Sequence, residues 1–399
     1  MEKIKTLIVG AGASGLMLAN ALDNTKGTVV FERGERLGRK LSATGNGQGN
    51  VSNEGVGVDK YFTSDARAYN KIEKMLARYG KDELIRFFES KGAVLTADER
   101  GRIYPAGKQA SALTDLLRYD VAQRGVKVCL STRVSALYRQ GDGFLVTTEN
   151  ESGKKSIFAQ RVVLCAGGKA AKNFGTDGSA YALAKSLGHS VTALYPSLVQ
   201  LKTDTEHIKS LKGIRVYSQV KALINGKEIA CETGDVIFTD YGVSGDVIFR
   251  LSAFVSDKTE GDVTLSIDLL PDISEQKLRE VLQQKSKLTH IPSGEILCGI
   301  LNNQVGRAVV KRAKSESVNA LVDVVKRFKL KVTGTLGYDY AQVTKGGIPL
   351  SEVDDELQSK SCKGLYLAGE ILDVDGRCGG YNLQWAFTSA SVIADALKN

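Results

Sequence analysis

The stretch that decides the fold is Ile4-Lys-Thr-Leu-Ile-Val-Gly10-Ala-Gly12-Ala-Ser-Gly15. The apolar run 4–9 predicts a β-strand, and the apolar spacing over residues 14–22 predicts a helix. A second β-rich run at 28–32 completes a βαβ unit of about 30 residues, the size of one nucleotide-binding half. The sequence therefore predicts an α/β domain at the amino end of the chain.

The three glycines of this stretch have separate physical roles. The first permits a tight turn, the second lets the backbone approach a pyrophosphate, and the third allows the helix to pack on the strand. The helix start also presents amide groups and a partial positive charge to the phosphates. We therefore predict that Gly10, Gly12, Ala13, Ser14 and Gly15 bind a dinucleotide.

An acidic residue follows at the expected distance. Glu32 lies 22 residues after Gly10 (32 − 10), at the end of the second predicted strand. There a carboxylate accepts hydrogen bonds from ribose hydroxyls, which favours FAD or NAD over NADP. The cations Arg33, Arg39 and Lys40 come next, and we expect them to meet the pyrophosphate. The alternative for each of them is an exposed basic loop.

The carboxyl-terminal residues favour FAD over NAD. An apolar run at 365–369 leads into the acids Glu370 and Asp375, and Gly380 opens the last predicted helix, at 382–397. Amides at that helix start would face the N1–C2=O edge of a flavin, where reduction places negative charge. NAD proteins have no use for such an arrangement. The alternative is a capped terminal helix without a ligand.

The pattern of predicted strands and helices changes near residue 190 and returns to the α/β type near residue 362. This change predicts one discontinuous domain with an insertion. We assign 1–190 and 336–399 to an FAD-binding domain, 191–270 to an inserted β-rich, barrel-like domain on the substrate side, and 271–335 to a helical part of the insert. The predicted helices before the last one are 66–79, 81–90, 111–124, 274–287, 295–312 and 316–328.

Composition excludes several other classes of protein. Of 399 residues, 42% are hydrophobic and 25% charged, which is typical of a globular chain of two or three domains. Six cysteines without a Cys-x-x-Cys pair argue against a metal site or a disulfide framework and predict a cytoplasmic protein. No apolar window is long enough to span a membrane. The net charge of +9 has no aromatic-basic motif beside it, so nucleic-acid binding is not favoured.

With these residues assembled, the chain resembles the YhiN/BaiN-like flavoproteins, also called the aminoacetone-oxidase-type FAD-binding family. The resemblance covers nearly the whole length. It rests on residues 10–15, 37–47, 101–105, 108–111, 166–168, 238–245, 346–347 and 369–385. It implies an FAD domain of the Rossmann-like, three-layer ββα type, an inserted domain that is part β-barrel and part helical, and non-covalent FAD.

The resemblance also implies which residues contact FAD. It places Val134 on the adenine side. It places the following near the dinucleotide and the flavin: Arg39, Lys40, Leu41, Thr44, Gly45, Asn46, Gly47, Ala166, Gly167, Gly168, Gly369, Glu370, Asp375, Gly380, Tyr381, Asn382 and Leu383.

The chain departs from the family pattern at informative places. Gln48-Gly49 stands where the family usually has Arg-Cys, Asp240 where it usually has His, and Asp246 where it usually has Pro. If that His is a catalytic acid or base in relatives, its role here is either lost or taken by a carboxylate, which would need a raised pKa to act near neutral pH. The candidate catalytic residues are Tyr104, Lys108, Asp240, Tyr241 and Tyr381, each with packing or a surface position as the alternative.

The resulting hypothesis is an FAD-dependent oxidoreductase that acts on a small molecule by hydride transfer at flavin N5. Amine oxidation and reduction of an unsaturated substrate both stay open. One alternative is an NAD(P)H-dependent flavin reductase, with NAD(P)H bound transiently because the chain has no second glycine motif. Another is a non-enzymatic flavin or RNA-binding protein that uses the basic insert. The sequence does not fix the substrate, the electron partner or the oligomeric state.

Overall fold

The structure, a computed structural model, describes residues 3–398. The chain divides into two compact units. The first unit joins the residues up to Tyr195 with those from Val343 onward, and the second is Pro196–Gln342. The first unit is therefore built from both ends of the chain. Among the described residues, no helix combines the length and the apolar character needed to cross a membrane.

Short strands and helices alternate along residues 3–398. The strands are β1 Lys3–Val9, β2 Thr28–Phe31, β3 Ser52–Asn53, β4 Tyr61–Phe62, β5 Leu95–Ala97, β6 Arg102–Pro105, β7 Lys127–Cys129, β8 Arg133–Gln140, β9 Gly143–Asn150, β10 Gly153–Leu164, β11 Tyr195–Ser197, β12 Leu201–Thr203, β13 Arg215–Ile224, β14 Lys227–Phe238, β15 Gly242–Ser244, β16 Val263–Asp268, β17 Phe328–Thr335, β18 Val343–Lys345, β19 Leu365–Leu367 and β20 Asp375–Gly376. The helices are α1 Ala13–Ala21, α2 Arg39–Ser42, α3 Ala68–Arg78, α4 Lys81–Glu89, α5 Ala110–Gln123, α6 Ser179–Lys185, α7 Asp246–Val255, α8 Glu275–Lys285, α9 Asn303–Ala313, α10 Val318–Lys326 and α11 Tyr381–Ala396.

The main sheet of the first unit has the strand order β7-β2-β1-β10-β9-β8, and β19 also pairs with β10. Strand β1 lies parallel between β2 and β10, with Val9 opposite Phe31 and Leu164. The amino-terminal part of β10 pairs antiparallel with β9, and its last residues pair parallel with β19. Buried parallel strands require continuous apolar runs, as residues 7–9 of β1 and 29–31 of β2 have. The carboxyl ends of β1, β2, β10 and β19 therefore meet at one edge of the sheet, where α/β proteins place their ligands.

The second unit contains a closed antiparallel barrel with the strand order β12-β15-β14-β13-β16-β17. Its interior is filled by buried side chains such as Val220, Leu265 and Phe328, and residues of α7 to α10 belong to the same apolar core. The fold class predicted above is confirmed: a discontinuous Rossmann-like α/β domain interrupted by a β-barrel with helices.

The structure differs from the sequence prediction in three local respects. Strand β17 lies within 271–335, which we assigned to a helical part, because its burial alternates from residue to residue. Helix α7 lies within the region assigned as β-rich. Helix α9 begins later than predicted, since the side chain of Asn302 accepts a hydrogen bond from the Gln304 amide at 3.0 Å and caps it.

A pair of adjacent substitutions tests the strand character of β17. Phe328 is buried, with the Arg312 guanidinium 4.8 Å from its ring centroid, whereas Lys329 is exposed. We expect Phe328→Ala to lower the free energy of unfolding by about 3–5 kcal/mol, because it leaves a cavity in the barrel. Lys329→Ala should change it by no more than about 0.5 kcal/mol. Urea unfolding measures both; equal effects would contradict the alternating pattern.

A candidate dinucleotide and flavin site

The glycine-rich turn after β1 has the geometry of a phosphate cradle. Gly10 has a φ of +96°, and a Cβ added to it would lie 2.8 Å from the carbonyl oxygen of Cys165. A Cβ on Gly15 would lie 2.0 Å from the Gly10 oxygen, but a Cβ on Gly12 would meet nothing within 4 Å. Gly12 is also the residue before α1, and no side chain caps that helix start. The first-turn amides of α1, at Ala13 to Gly15, therefore face open space that suits an anion.

Glu32 is held rigidly at the end of β2. One carboxylate oxygen accepts the Ala11 amide at 2.8 Å, and the other accepts the Gly34 amide at 2.7 Å. Each carboxylate oxygen has a further lone pair, which can accept a ribose hydroxyl. The arrangement fits the ribose-binding acid of a dinucleotide site.

The three cations after Glu32 contact protein groups rather than standing free. Arg33 pairs with Asp177 at 2.7 Å, Arg39 donates to the carbonyl oxygen of Asn173 at 2.9 Å, and Lys40 pairs with Glu370 at 2.7 Å. Burial raises the pKa of Asp177, but the hydrogen bonds from Arg33 and Ser179 and the charge of Arg33 together outweigh this effect and lower the pKa to about 2. These cations hold the segment after β10 and the turn after β19 in place.

The end of β19 packs directly against the start of α1. Gly369 has a φ of +75°, and a Cβ on it would lie 2.8 Å from the Ser14 hydroxyl oxygen. The Trp385 indole donates to the Gly369 carbonyl oxygen at 3.2 Å, and the Gly369 amide donates to Ser389 at 2.9 Å. Helix α11 also packs on α1. Residues from the two ends of the chain thus form one site, and the Gly369 position tolerates no side chain.

A second glycine-rich loop leads from α2 toward the start of α11. Gly45 and Asn46 have left-handed backbone conformations, with φ of 58° and 55°. The Thr44 hydroxyl donates to the Leu41 carbonyl oxygen at 2.7 Å. A Cβ on Gly45 would lie 3.3 Å from the Asn50 Cβ, so the two sides of the loop are in close contact. Gly45 and Asn46 are exposed, and Gly47 is half-buried.

The start of α11 is shaped by side-chain amides. The side chain of Asn382 accepts the Gly376 amide and donates to the Gly376 carbonyl oxygen, both at 2.8 Å. The Asn53 amide donates to the Gly379 carbonyl oxygen at 3.1 Å. Among the described residues, no side chain caps α11, whose preceding residue is Gly380. Asn382 therefore fixes the turn before the helix, and the helix amides stay available for a ligand.

The remaining predicted cofactor residues lie in the same unit. Val134 is buried in β8, Asp375 is buried in β20, and Leu383 is half-buried in α11. Ala166 to Gly168 follow β10 at the carboxyl edge of the sheet. A Cβ on Gly168 would lie 2.4 Å from the Thr344 hydroxyl oxygen, which itself accepts the Lys169 and Ala170 amides at 2.7 and 2.9 Å.

Two of the candidate catalytic residues lie beside these loops. Tyr104 is only 4% exposed, and its ring lies 3.7 Å from where a Cβ on Gly45 would be. Within residues 3–398 its hydroxyl has no hydrogen-bond partner. Burial raises the pKa of both Tyr104 and Tyr381. Lys108, in contrast, is exposed in the turn that follows β6.

The other two candidates belong to the second unit. Asp240 pairs with Lys212 at 2.6 Å, and its side chain is 62% exposed. The hydrogen bond from Lys212 lowers the pKa of Asp240, which is the opposite of the shift that an acid at neutral pH requires. Burial raises the pKa of Tyr241. Asp246 accepts the Asp235 amide at 3.0 Å and pairs with Arg250 at 2.6 Å, which supports a structural role.

Sequence reasoning overlooked Asn50, Asn53, Asp177 and Thr344. The sequence does contain a signal for the two asparagines, because they follow a glycine-rich loop. Asparagine side chains in such loops commonly form hydrogen bonds with nearby backbone groups. The sequence contains no local signal for Thr344 and Asp177. Each of them contacts the site only because distant segments of the chain meet at the edge of the sheet.

A glycine turn with the geometry of a phosphate cradle, an acid at the end of β2 and an uncapped second helix start are together the features expected of an FAD-dependent oxidoreductase of Rossmann type. Comparison with known protein families agrees with this class of enzyme. The chain belongs to the family described as HI0933-like protein Rossmann domain, whose model matches residues 4–396.

Two relatives span nearly the whole chain. A 3-dehydro-bile acid delta(4,6)-reductase of Clostridium scindens is 34% identical and covers 98% of each chain. A ribosomal RNA dihydrouridine synthase of Haemophilus influenzae is 28% identical and covers 98% of this chain and 97% of the relative.

Solved structures share the fold at low identity. The 3-ketosteroid-delta4-(5alpha)-dehydrogenase of Rhodococcus jostii, in complex with 4-androstene-3,17-dione, has a TM-score of 0.53 at 15% identity and covers 99% of this chain and 97% of that one. A flavocytochrome c3 fumarate reductase has a TM-score of 0.52 at 16% identity, with 99% of this chain and 78% of that one covered. The residues present fit FAD, since the open space at Gly12 and the two oxygens of Glu32 match its pyrophosphate and ribose.

One substitution separates the cofactor role of Gly12 from its structural role. A Cβ at this position meets no protein atom, so we expect Gly12→Ala to leave the melting temperature of the apoprotein unchanged. It should weaken FAD binding by about 5- to 150-fold, because overpacking against a ligand costs about 1–3 kcal/mol. Fluorescence titration of apoprotein with FAD measures the affinity.

The matched control is Gly107→Ala, where an added Cβ also meets nothing within 4 Å and the residue is exposed. Gly107→Ala should change neither the melting temperature of the apoprotein nor its affinity for FAD. Undiminished FAD affinity in Gly12→Ala would place the pyrophosphate elsewhere.

Proposed function

We propose that this enzyme reduces a carbon–carbon double bond conjugated to a carbonyl group in a small planar molecule, with FAD as its cofactor. The observation that carries the proposal is the full-length relative named as a reductase of delta(4,6) bonds in a 3-dehydro bile acid. The product in the second relative's name, dihydrouridine, also differs from its precursor by saturation of a double bond next to a carbonyl. One reaction type thus accounts for both relatives.

The reaction needs a hydride at the carbon β to the carbonyl and a proton at the α carbon. Bound FAD supplies the hydride chemistry. The chain has to hold the substrate, exclude water and deliver the proton. A group that delivers the proton must be protonated at neutral pH and must lie beside the flavin.

Tyr104 is the residue that best meets these requirements. Its ring lies beside Gly45, in the loop that we assign to the flavin, and its hydroxyl has no hydrogen-bond partner within residues 3–398. Burial raises the pKa of Tyr104, although the neighbouring Arg102 acts in the other direction. The phenol therefore keeps its proton at neutral pH and has that proton available for a substrate. We assign Tyr104 as the proton donor.

We assign the cofactor contacts according to the chemistry of each group. The amides of α1 bind the pyrophosphate, Glu32 binds the adenosine ribose, and the amides of α11 face the flavin N1–C2=O edge. The pair of Lys40 and Glu370 holds the loops around the ribityl chain. We propose NAD(P)H as the transient reductant, since some donor must return two electrons to the flavin after each turnover.

Tyr104→Phe tests the proton donor. We expect this substitution to slow reoxidation of the reduced enzyme by a conjugated steroid enone by about 10²–10⁴-fold, because the general acid is lost. Stopped-flow absorbance of the flavin under anaerobic conditions measures that step. FAD affinity should be unchanged, since the ring is retained.

The control for this experiment is Tyr119→Phe, which alters a tyrosine that is 72% exposed. It should reoxidise at the wild-type rate. If Tyr104→Phe also keeps that rate, the proton comes from another group. If an amine, rather than an enone, exchanges electrons with the flavin, the enzyme is an oxidase of the amine type.

The pH dependence of the same step provides a further test. The tyrosine acts in its protonated form, and burial places the pKa of Tyr104 above its ordinary value of 10. We therefore expect the reoxidation rate to stay constant through neutral pH and to fall only above about pH 10. A decline between pH 6 and 8 would indicate a different acid. The measurement uses the stopped-flow assay across a series of buffers.

A second candidate substrate is a uracil base within RNA. The relatives named as ribosomal RNA dihydrouridine synthases cover almost the whole chain. The net charge is +9, and Lys311, Lys314, Lys329 and Lys331 are exposed in the second unit. Phosphate contacts by lysines make binding fall steeply with salt.

The two candidates separate in one assay. Reduced enzyme is mixed with the steroid enone or with uridine-containing ribosomal RNA, and mass spectrometry detects saturated steroid or dihydrouridine. Formation of dihydrouridine at low salt, with no reaction of the enone, would replace the small-molecule proposal by the RNA one.

A further inference from the structure

Asn50 has a buried acceptor that the protein itself does not satisfy. Its Oδ1 atom is almost completely buried, although the residue as a whole is half-buried, and within residues 3–398 this atom has no hydrogen-bond partner. The other amides of this region are bonded: Asn53 to Gly379, Asn382 to Gly376, and Gln384 to the Tyr79 carbonyl oxygen. Buried polar atoms without a partner are rare in native proteins and point to an absent ligand or water.

The position of this atom narrows the choice of ligand. Asn50 lies between two glycines that both have left-handed backbone conformations, Gly45 and Gly380. A Cβ on Gly380 would lie 2.7 Å from the side-chain Oδ1 atom of Asn50. A Cβ on Gly45 would lie 3.1 Å from the backbone nitrogen of Asn50. The orphaned acceptor therefore faces the start of α11, where no side chain caps the helix.

The two features together match one edge of a flavin. The pyrimidine part of the isoalloxazine presents acceptors at N1 and C2=O and, next to them, a single donor at N3–H. The start of α11 offers backbone donors, and Asn50 offers an acceptor beside them. An edge with acceptors alone would leave Asn50 unsatisfied.

We propose that Asn50 accepts the hydrogen bond of the flavin N3–H group and is the residue that reads this edge of the cofactor. The proposal rests on FAD being the cofactor. Because N3–H is present in oxidised and reduced flavin alike, Asn50 contributes to affinity in both states. The α11 amides, in contrast, favour the reduced state, in which N1 is negatively charged.

A chemical double-mutant cycle tests the pair. FAD and 3-methyl-FAD, which lacks the N3 donor, are titrated into wild-type apoprotein and into the Asn50→Ala apoprotein. We expect wild type to bind 3-methyl-FAD about tenfold or more weakly than FAD, since a buried acceptor is left without its donor. Asn50→Ala should bind the two flavins with nearly equal affinity, because it has neither the acceptor nor the bulk that meets the methyl group.

A charge variant gives a readout independent of affinity. Asn50→Asp keeps an acceptor at the same place, so oxidised FAD should still bind. The added negative charge should lower the flavin reduction potential, measured by dye equilibration, because it repels the reduced flavin anion. The matched control is Asn303→Ala, at an exposed asparagine of the second unit, which should behave as wild type.

Each outcome decides something. If wild type and Asn50→Ala discriminate equally against 3-methyl-FAD, the proposal is wrong although FAD binding stands. If wild type binds no FAD at all, the cofactor assignment fails first. The apoprotein of Asn50→Ala should melt no lower than wild type, since it removes an unsatisfied atom; a clearly lower melting temperature would make Asn50 a structural residue and overturn the proposal.

Discussion

The parallel pairing of β1 with both β2 and β10 is the constraint on which the site depends. It places Val9 beside Phe31 and Leu164, so that three strands end at one edge. The chain leaves β1 through Gly10, whose backbone touches the backbone of Cys165 so closely that no side chain fits. The Cys165 side chain is buried beside this contact, and burial raises the pKa of its thiol to about 12. The start of α1 is thereby held over the sheet edge with its amides unpaired.

The same edge gathers residues that are far apart in sequence. Strand β19 joins β10, and its end at Gly369 reaches Ser14 at the start of α1. The ion pair of Lys40 and Glu370 spans 330 positions of sequence, and Thr344 ties the loop after β10 to Glu370. Because neither end of the chain contains all of these residues, the candidate cofactor site forms only when both ends have folded together. Binding of FAD should therefore stabilise the folded unit by linkage.

Several residues of the candidate site have features that suit a ligand but do not stabilise the protein without one. Gly12 leaves open space, Asn50 leaves an unsatisfied acceptor, and Tyr104 leaves a hydroxyl without a partner among the described residues. None of these stabilises the apoprotein. In our proposal these are the positions where ligand atoms complete the structure, whereas the neighbouring Asn53, Asn382 and Glu32 already have protein partners that hold the loops in shape.

Sequence by itself determined the βαβ unit, the order of strands and helices around it, and the class of cofactor. These follow from local rules: apolar periodicity, glycines where the backbone must turn or approach a phosphate, and an acid at the end of a strand. The family resemblance supplied the barrel and the expectation that residues 39–47 contact the flavin. Local pattern misjudged β17, since alternating lysines on a strand resemble the charged face of a helix over a short window. Only the tertiary structure decided which polar groups find an ion-pair or hydrogen-bond partner. Arg33 and Asp177, Lys40 and Glu370, and the unpaired Asn50 depend on contacts between distant segments, and no local pattern encodes whether a side chain finds a partner once the sheet has closed.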